Sequence, residues 1–166
     1  AILSLGRQPA ISVQTALGVS LRRLLMAVLE TGDNRASAVA LQGIVAGAQI
    51  AENAILASTA ILANDPTVPR GEGDEQSAFL VAAALAIEDN LLWCRQRAVA
   101  LDGNVLHLLD TRIVGNDAIT CAQMAVSALG MGLTGTSITI TRNNCFVTGG
   151  GVRCGVDGAW IGENKL

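Results

Sequence analysis

The sequence predicts an all-β solenoid, a parallel β-helix whose strands return at near-regular intervals. Three observations predict it. Ile-x-x-Asn recurs at Ile50–Asn53, Ile87–Asn90, Ile113–Asn116, Ile140–Asn143 and Ile161–Asn164, with steps of 37, 26, 27 and 21 between successive asparagines. Short alternating runs precede them, such as Ala84–Ile87 and Ser137–Thr141. Runs of about four to six residues suit strands better than helices. Glycines punctuate the runs, at Gly43, Gly47, Gly103, Gly115, Gly130, Gly132, Gly135 and 149–151. One such repeat cannot bury its own apolar face, so it must stack on the next.

The elements follow in order. Leu17, Leu21, Leu24, Leu25 and Val28 recur near one face over 16–30, beside Arg22, Arg23 and Glu30. This predicts an N-terminal capping helix, with strands of an extra coil as the rival. Residues 1–37 are therefore an N-terminal cap or first coil. Arg22 and Arg23 interrupt the apolar stretch 10–29, which argues against a membrane span and against a signal peptide. The β-helix is predicted over 38–166, with a loop insertion at 64–77 that holds two of the three prolines. A further copy, Ile61–Asn64, comes only 11 residues after Asn53. That is too close for a full coil, and it is read as chance or as one side of a coil. The last copy, after Trp160, looks like a coil beginning or breaking off. Additional coils or another protein chain are expected to cover that solenoid end.

The isoleucines are expected to stack as an interior column. Asn53, Asn90, Asn116, Asn143 and Asn164 are expected at the turns. There asparagine takes the left-handed conformation more cheaply than most residues, and its amide can bond to the next coil as a ladder. Asn104, outside this register after Gly103, is expected in an exposed turn. Over about 38–166 the pattern resembles the right-handed parallel β-helix proteins of the pectate-lyase-like superfamily. The resemblance implies right-handed coiling. It also implies a functional range from polysaccharide lyases and hydrolases to tailspikes and adhesins.

Composition narrows the function. The 166 residues are 51% hydrophobic and only 15% charged, against about 25% charged in an average domain, which excludes a disordered chain. The net charge of -3 offers no basic excess for nucleic acid. Tyrosine is absent, and the aromatic set is Phe79, Trp93, Phe146 and Trp160. Cys94, Cys121, Cys145 and Cys154 form no CxxC pair, and His107 is the one histidine. Buried free thiols are expected, with no metal site and no cofactor. Asp65, Glu72, Asp74 and Glu75 are hard oxygen ligands of the kind calcium takes, but their spacing fits no EF-hand. The glycines of 130–137 do not complete a nucleotide-binding fingerprint.

Two polar sets remain. The position before each ladder asparagine reads Glu52, Asp89, Gly115, Arg142 and Glu163. Glu52 and Asp89 fall on neighbouring coils and Arg142 two coils further. They are the catalytic candidates for a glycoside hydrolase, which needs facing carboxylates, or for a lyase, and solvated turn residues are the plainer expectation. The second set is Asp102, His107, Asp110 and Arg112, with His107 facing outward and no third member to orient it. The sequence therefore predicts a non-catalytic β-helical domain serving in assembly or recognition within a larger protein or complex. The alternative is a carbohydrate-active lyase or hydrolase domain with a carbohydrate partner.

Overall fold

A computed structural model describes residues 1–5, 8–29, 37–68, 78–130, 137–155 and 158–166. Among these residues the regular structure is all β, and the strand pairings are parallel. The chain crosses three sides in turn, here called the long side, the isoleucine side and the third side. β1 (Ile2–Leu5) lies on the third side. The first full pass runs through β2 (Ile11–Leu17), β3 (Ser20–Arg22) and β4 (Leu25–Leu29). The second takes β5 (Ser37–Ala46), β6 (Gln49–Ala51) and the start of β7 (Ala54–Ala63). The third uses the end of β7, β8 (Leu80–Ala83), β9 (Ala86–Glu88) and the start of β10 (Leu91–Leu109). The fourth continues along β10 into β11 (Thr111–Val114) and β12 (Asp117–Ile119). The fifth holds β13 (Met124–Gly130), β14 (Ile138–Thr141) and β15 (Asn144–Phe146). The last holds β16 (Gly150–Cys154), β17 (Ala159–Gly162) and Lys165, which bridges to Asn144.

The isoleucine side is a six-stranded sheet in the order β3-β6-β9-β11-β14-β17. The other two sides merge into an eleven-stranded sheet, because β7 and β10 run from the third side onto the long side without a break. β10 is 19 residues long for this reason, with a register shift against β7 between Cys94 and Arg97 where it crosses over.

Register places like side chains over like. Leu21, Ile50, Ile87, Ile113, Ile140 and Ile161 pair in sequence across the isoleucine side. Met26, Ile55, Leu92, Ala118 and Cys145 do so on the third side. Ile11, Val39, Ile61, Val99, Val126 and Val152 do so on the long side. Most of these side chains are buried in one core cluster. Burying one aliphatic side chain of this size stabilises by about 1.5–3 kcal/mol. β-Branched residues fit such columns because a pleated strand holds their restricted rotamers without strain. Ile61 belongs to the long side, so the Ile61–Asn64 copy lies outside the isoleucine column.

The capping helix expected over 16–30 is not formed; the described residues up to Leu29 are β2, β3 and β4. The reason is local. Gly18 and Arg23 adopt left-handed backbone, with φ of 67° and 55°, which no helix continues through. The strands of the second pass also present an open edge. Leu21 pairs with Ile50 and Met26 with Ile55. Among the described residues no helix is long and apolar enough to cross a membrane.

Candidate functional site

The corner between the isoleucine side and the third side carries the asparagines. Asn53, Asn90, Asn116 and Asn143 are buried. The Asn53 backbone N–H and Nδ2 both donate to Asn90 Oδ1, each at 3.0 Å. Asn90 does the same to Asn116 Oδ1 at 3.1 and 2.9 Å. Asn116 donates to Asn143 Oδ1 at 3.0 Å twice, and Asn143 to Asn164 Oδ1 at 3.0 and 2.9 Å. The second amide hydrogen reaches back to the isoleucine-side carbonyl of the pass before: Leu21, Ile50, Ile87, Ile113 and Ile140 in turn, at 2.8–2.9 Å. Each internal amide therefore accepts twice and donates twice.

The left-handed residue at this corner is not the asparagine. It is the residue before it: Arg23, Glu52, Asp89, Gly115, Arg142 and Glu163, with φ between 52° and 69°. The turn needs the asparagine for its amide, and the conformational strain falls one position earlier. That position also holds the catalytic candidates. Glu52 is exposed, and its carboxylate is taken by Arg22 Nη2 at 2.6 Å and Arg23 Nε at 2.7 Å. These bonds, Arg23 first, hold the Glu52 carboxyl below the usual 4.5. Asp89 sits on the next pass, its N–H on Val114 O at 3.0 Å, with its carboxylate where a side chain on Gly115 would stand. Arg142 lies two passes beyond Asp89. Its N–H points at Gly162 O, 3.4 Å away, and its side chain is exposed. The three residues share one corner, but the guanidiniums that engage Glu52 are Arg22 and Arg23.

The second polar set is dispersed into separate contacts. Asp102 accepts from Arg97 Nη1 at 3.1 and 3.0 Å and from Ser127 Oγ at 2.6 Å. Arg112 pairs with Glu88 at 2.7 Å. Asp110 is a left-handed corner residue with φ 48°. His107 pairs with Val81, itself beside exposed Ile44, while its neighbour Leu108 is buried; it is half-buried, and among the described residues its buried Nδ1 has no hydrogen-bond partner. In the insertion, Asp65 is buried and ties the loop to β5. It accepts from Ser37 N and Oγ at 3.0 and 2.5 Å, and from Thr67 N and Oγ1 at 2.8 and 2.6 Å. Glu72, Asp74, Glu75 and the glycines of 132–135 lie outside the described residues. The cysteines are free thiols. Burial pushes Cys145 up to about 11. The contact with Cys121, then burial, pushes Cys94 up as well.

The feature that sequence reasoning missed lies on the outer face of the third side. Leu3, Ala27, Leu56, Trp93, Ile119 and Phe146 stand in register, one per pass. Trp93 is 54% exposed and Phe146 67%. The signal was present: four of the six stand three residues after a ladder asparagine. Beside Trp93 a groove of about 620 Å³ is lined by Leu29, Leu56, Arg95, Thr120 and Ala122. Compared with family models, curated proteins and solved structures, the chain matches none.

Proposed function

We propose that the chain is a right-handed parallel β-helix of the pectate-lyase-like kind and that it serves, without catalysis, in assembly or recognition within a larger protein or complex. The observation that carries this is the outward column from Leu3 to Phe146. Parallel sheets are ordinarily covered on both faces, and a contiguous apolar surface left open marks an interaction site. Five strand steps of about 4.8 Å make the column roughly 24 Å long. The carboxylate candidates support the same reading, since Glu52 is already engaged by two guanidiniums.

Size exclusion with light scattering, on the chain alone and with its native neighbours, tests it. Association that is lost in Trp93→Glu and Phe146→Glu is the expected result. A monomer with no affinity for those neighbours, unaffected by either change, contradicts it. Product released from an acidic polysaccharide, and lost in Glu52→Gln or Asp89→Asn, would transfer the chain to the carbohydrate-active class.

A further inference from the structure

The groove beside Trp93 holds more than an apolar strip. Trp93 and Arg95 stand two residues apart on β10, and both are exposed while Cys94 between them is buried. They therefore share the outer face, about 6.6 Å apart along the strand. On the pass before, Leu56 pairs with Trp93 and Ala57 with Cys94, and Thr59 pairs with Arg97 after the register shift. Ser58 thus falls level with Arg95. On the pass after, the Ala122 N–H donates to Arg95 O at 3.1 Å. Short side chains flank the guanidinium on both sides.

Two polar groups in this groove are unspent. Among the described residues the Arg95 guanidinium has no carboxylate or hydrogen-bond partner, and no carboxylate lines the groove. Ser58 is 3% exposed, and among the described residues its Oγ has no hydrogen-bond partner. The other hydroxyl in the wall, Thr120 Oγ1, already donates to Cys94 O at 3.0 Å. A buried hydroxyl without a partner is costly, and a ligand that supplies an acceptor removes that cost. An indole face beside leucine, an unpaired guanidinium and a spare hydroxyl are the few convergent groups by which a small-molecule site fixes its ligand.

We infer that the groove binds a small aromatic carboxylate. Its ring would lie on Trp93 and Leu56. Its carboxylate would take the Arg95 fork and accept from Ser58 Oγ. The volume of about 620 Å³ suits a body of one or two rings, since such sites span about 300–1,000 Å³. A neutral aromatic leaves Arg95 unpaired, and an organic cation is repelled by it. The site goes beyond the assembly reading; the two share Trp93 and Leu56 but not Arg95.

The probe is 2-naphthoate, titrated into the full chain and followed by the indole N–H signals of the two tryptophans in a nitrogen–proton correlation spectrum; Trp160→Phe assigns them. A saturable shift of the Trp93 signal, with Trp160 unmoved, is expected. Arg95→Ala should weaken binding about tenfold, and so should replacing naphthoate by neutral 2-naphthamide. Combining both changes should add little. Ser58→Ala should weaken it about threefold, and Arg95→Lys should be intermediate. No saturable shift, or equal binding of acid and amide, overturns the site. If naphthoate fails while Trp93→Glu still abolishes association, the assembly reading survives and this site falls. If naphthoate binds as described to a chain that never associates, the site stands and assembly falls.

Discussion

Each pass turns at two corners that solve the same problem differently. Where the long side meets the isoleucine side, Gly18, Gly47, Ala84 and Asp110 take left-handed backbone. The first three donate their N–H to Ala46, Ala83 and Leu109 one pass on, each at 2.8 Å. The next residues, Val19, Ala48, Leu85 and Thr111, turn mostly apolar side chains inward. At the other corner the left-handed residue donates in the same way, from Glu52 to Glu88 O and from Asp89 to Val114 O. There the next residue is asparagine. A left-handed turn in a stacked chain can thus be completed either by packing or by an amide that bridges passes. Leu24 and Thr111 show that each corner tolerates a residue of the other kind in one pass.

Breaking the amide corner should have the largest effect. Asn116→Ala removes an acceptor used twice by Asn90 and leaves Ile87 O and Asn143 Oδ1 short of a donor. Each buried unpaired group costs about 1–3 kcal/mol, and a total loss of about 3 kcal/mol is expected in chemical denaturation. The same change at half-buried Asn164 should lose about 1 kcal/mol, since water can reach its partners.

Asn104→Ala comes next, and it departs from the sequence expectation of an exposed, tolerant turn. Asn104 lies inside β10 with φ 51°. Its Nδ2 donates to Ala78 O and its own carbonyl accepts from Asn64 Nδ2. Alanine gives up the amide bond and bears the left-handed strain unaided, for a loss of about 1–2 kcal/mol.

The packing corner yields an effect of opposite sign. Thr111 is fully buried, and among the described residues its Oγ1 has no partner. Thr111→Val replaces that hydroxyl by a methyl group of the same shape. A gain of about 1 kcal/mol in thermal or chemical unfolding is expected. A loss would mean that the hydroxyl is satisfied in solution and that this corner is less purely apolar.

The smallest effect concerns Glu52 and its two arginines. The folded carboxyl is held low, so the pairing contributes fully above the ordinary glutamate range and disappears as pH falls through the lowered value. Such exposed pairs are weak and screened by salt. Glu52→Gln should flatten the acid limb of the stability profile slightly at low salt and leave it unchanged at high salt.

These contrasts explain what the sequence disclosed. The amide corner was legible because its bonds are made by a side chain that recurs with isoleucine three residues earlier. The packing corner was not, because backbone atoms make its bonds and Gly, Ala and Asp serve equally at the turn. The first pass was hidden by Leu24, which removed the marker and left a leucine-rich stretch with the look of a helix. That omission also concealed Arg22 and Arg23, the partners of Glu52. The outward column was masked by its neighbours, since apolar residues facing the core and facing out alternate along the same short strands after each asparagine.

Native-state hydrogen exchange tests the ladder most directly, because each rung holds one backbone N–H on a side-chain oxygen. The amides of Leu24, Asn53, Asn90, Asn116 and Asn143 should exchange slowly, at rates set by large-scale opening. The amide of Asn164, whose N–H reaches no side-chain oxygen among the described residues, should exchange rapidly in this chain. Exchange at Asn90 and Asn116 as fast as at Asn164 would contradict the account, because the passes would then be held together without the amide column.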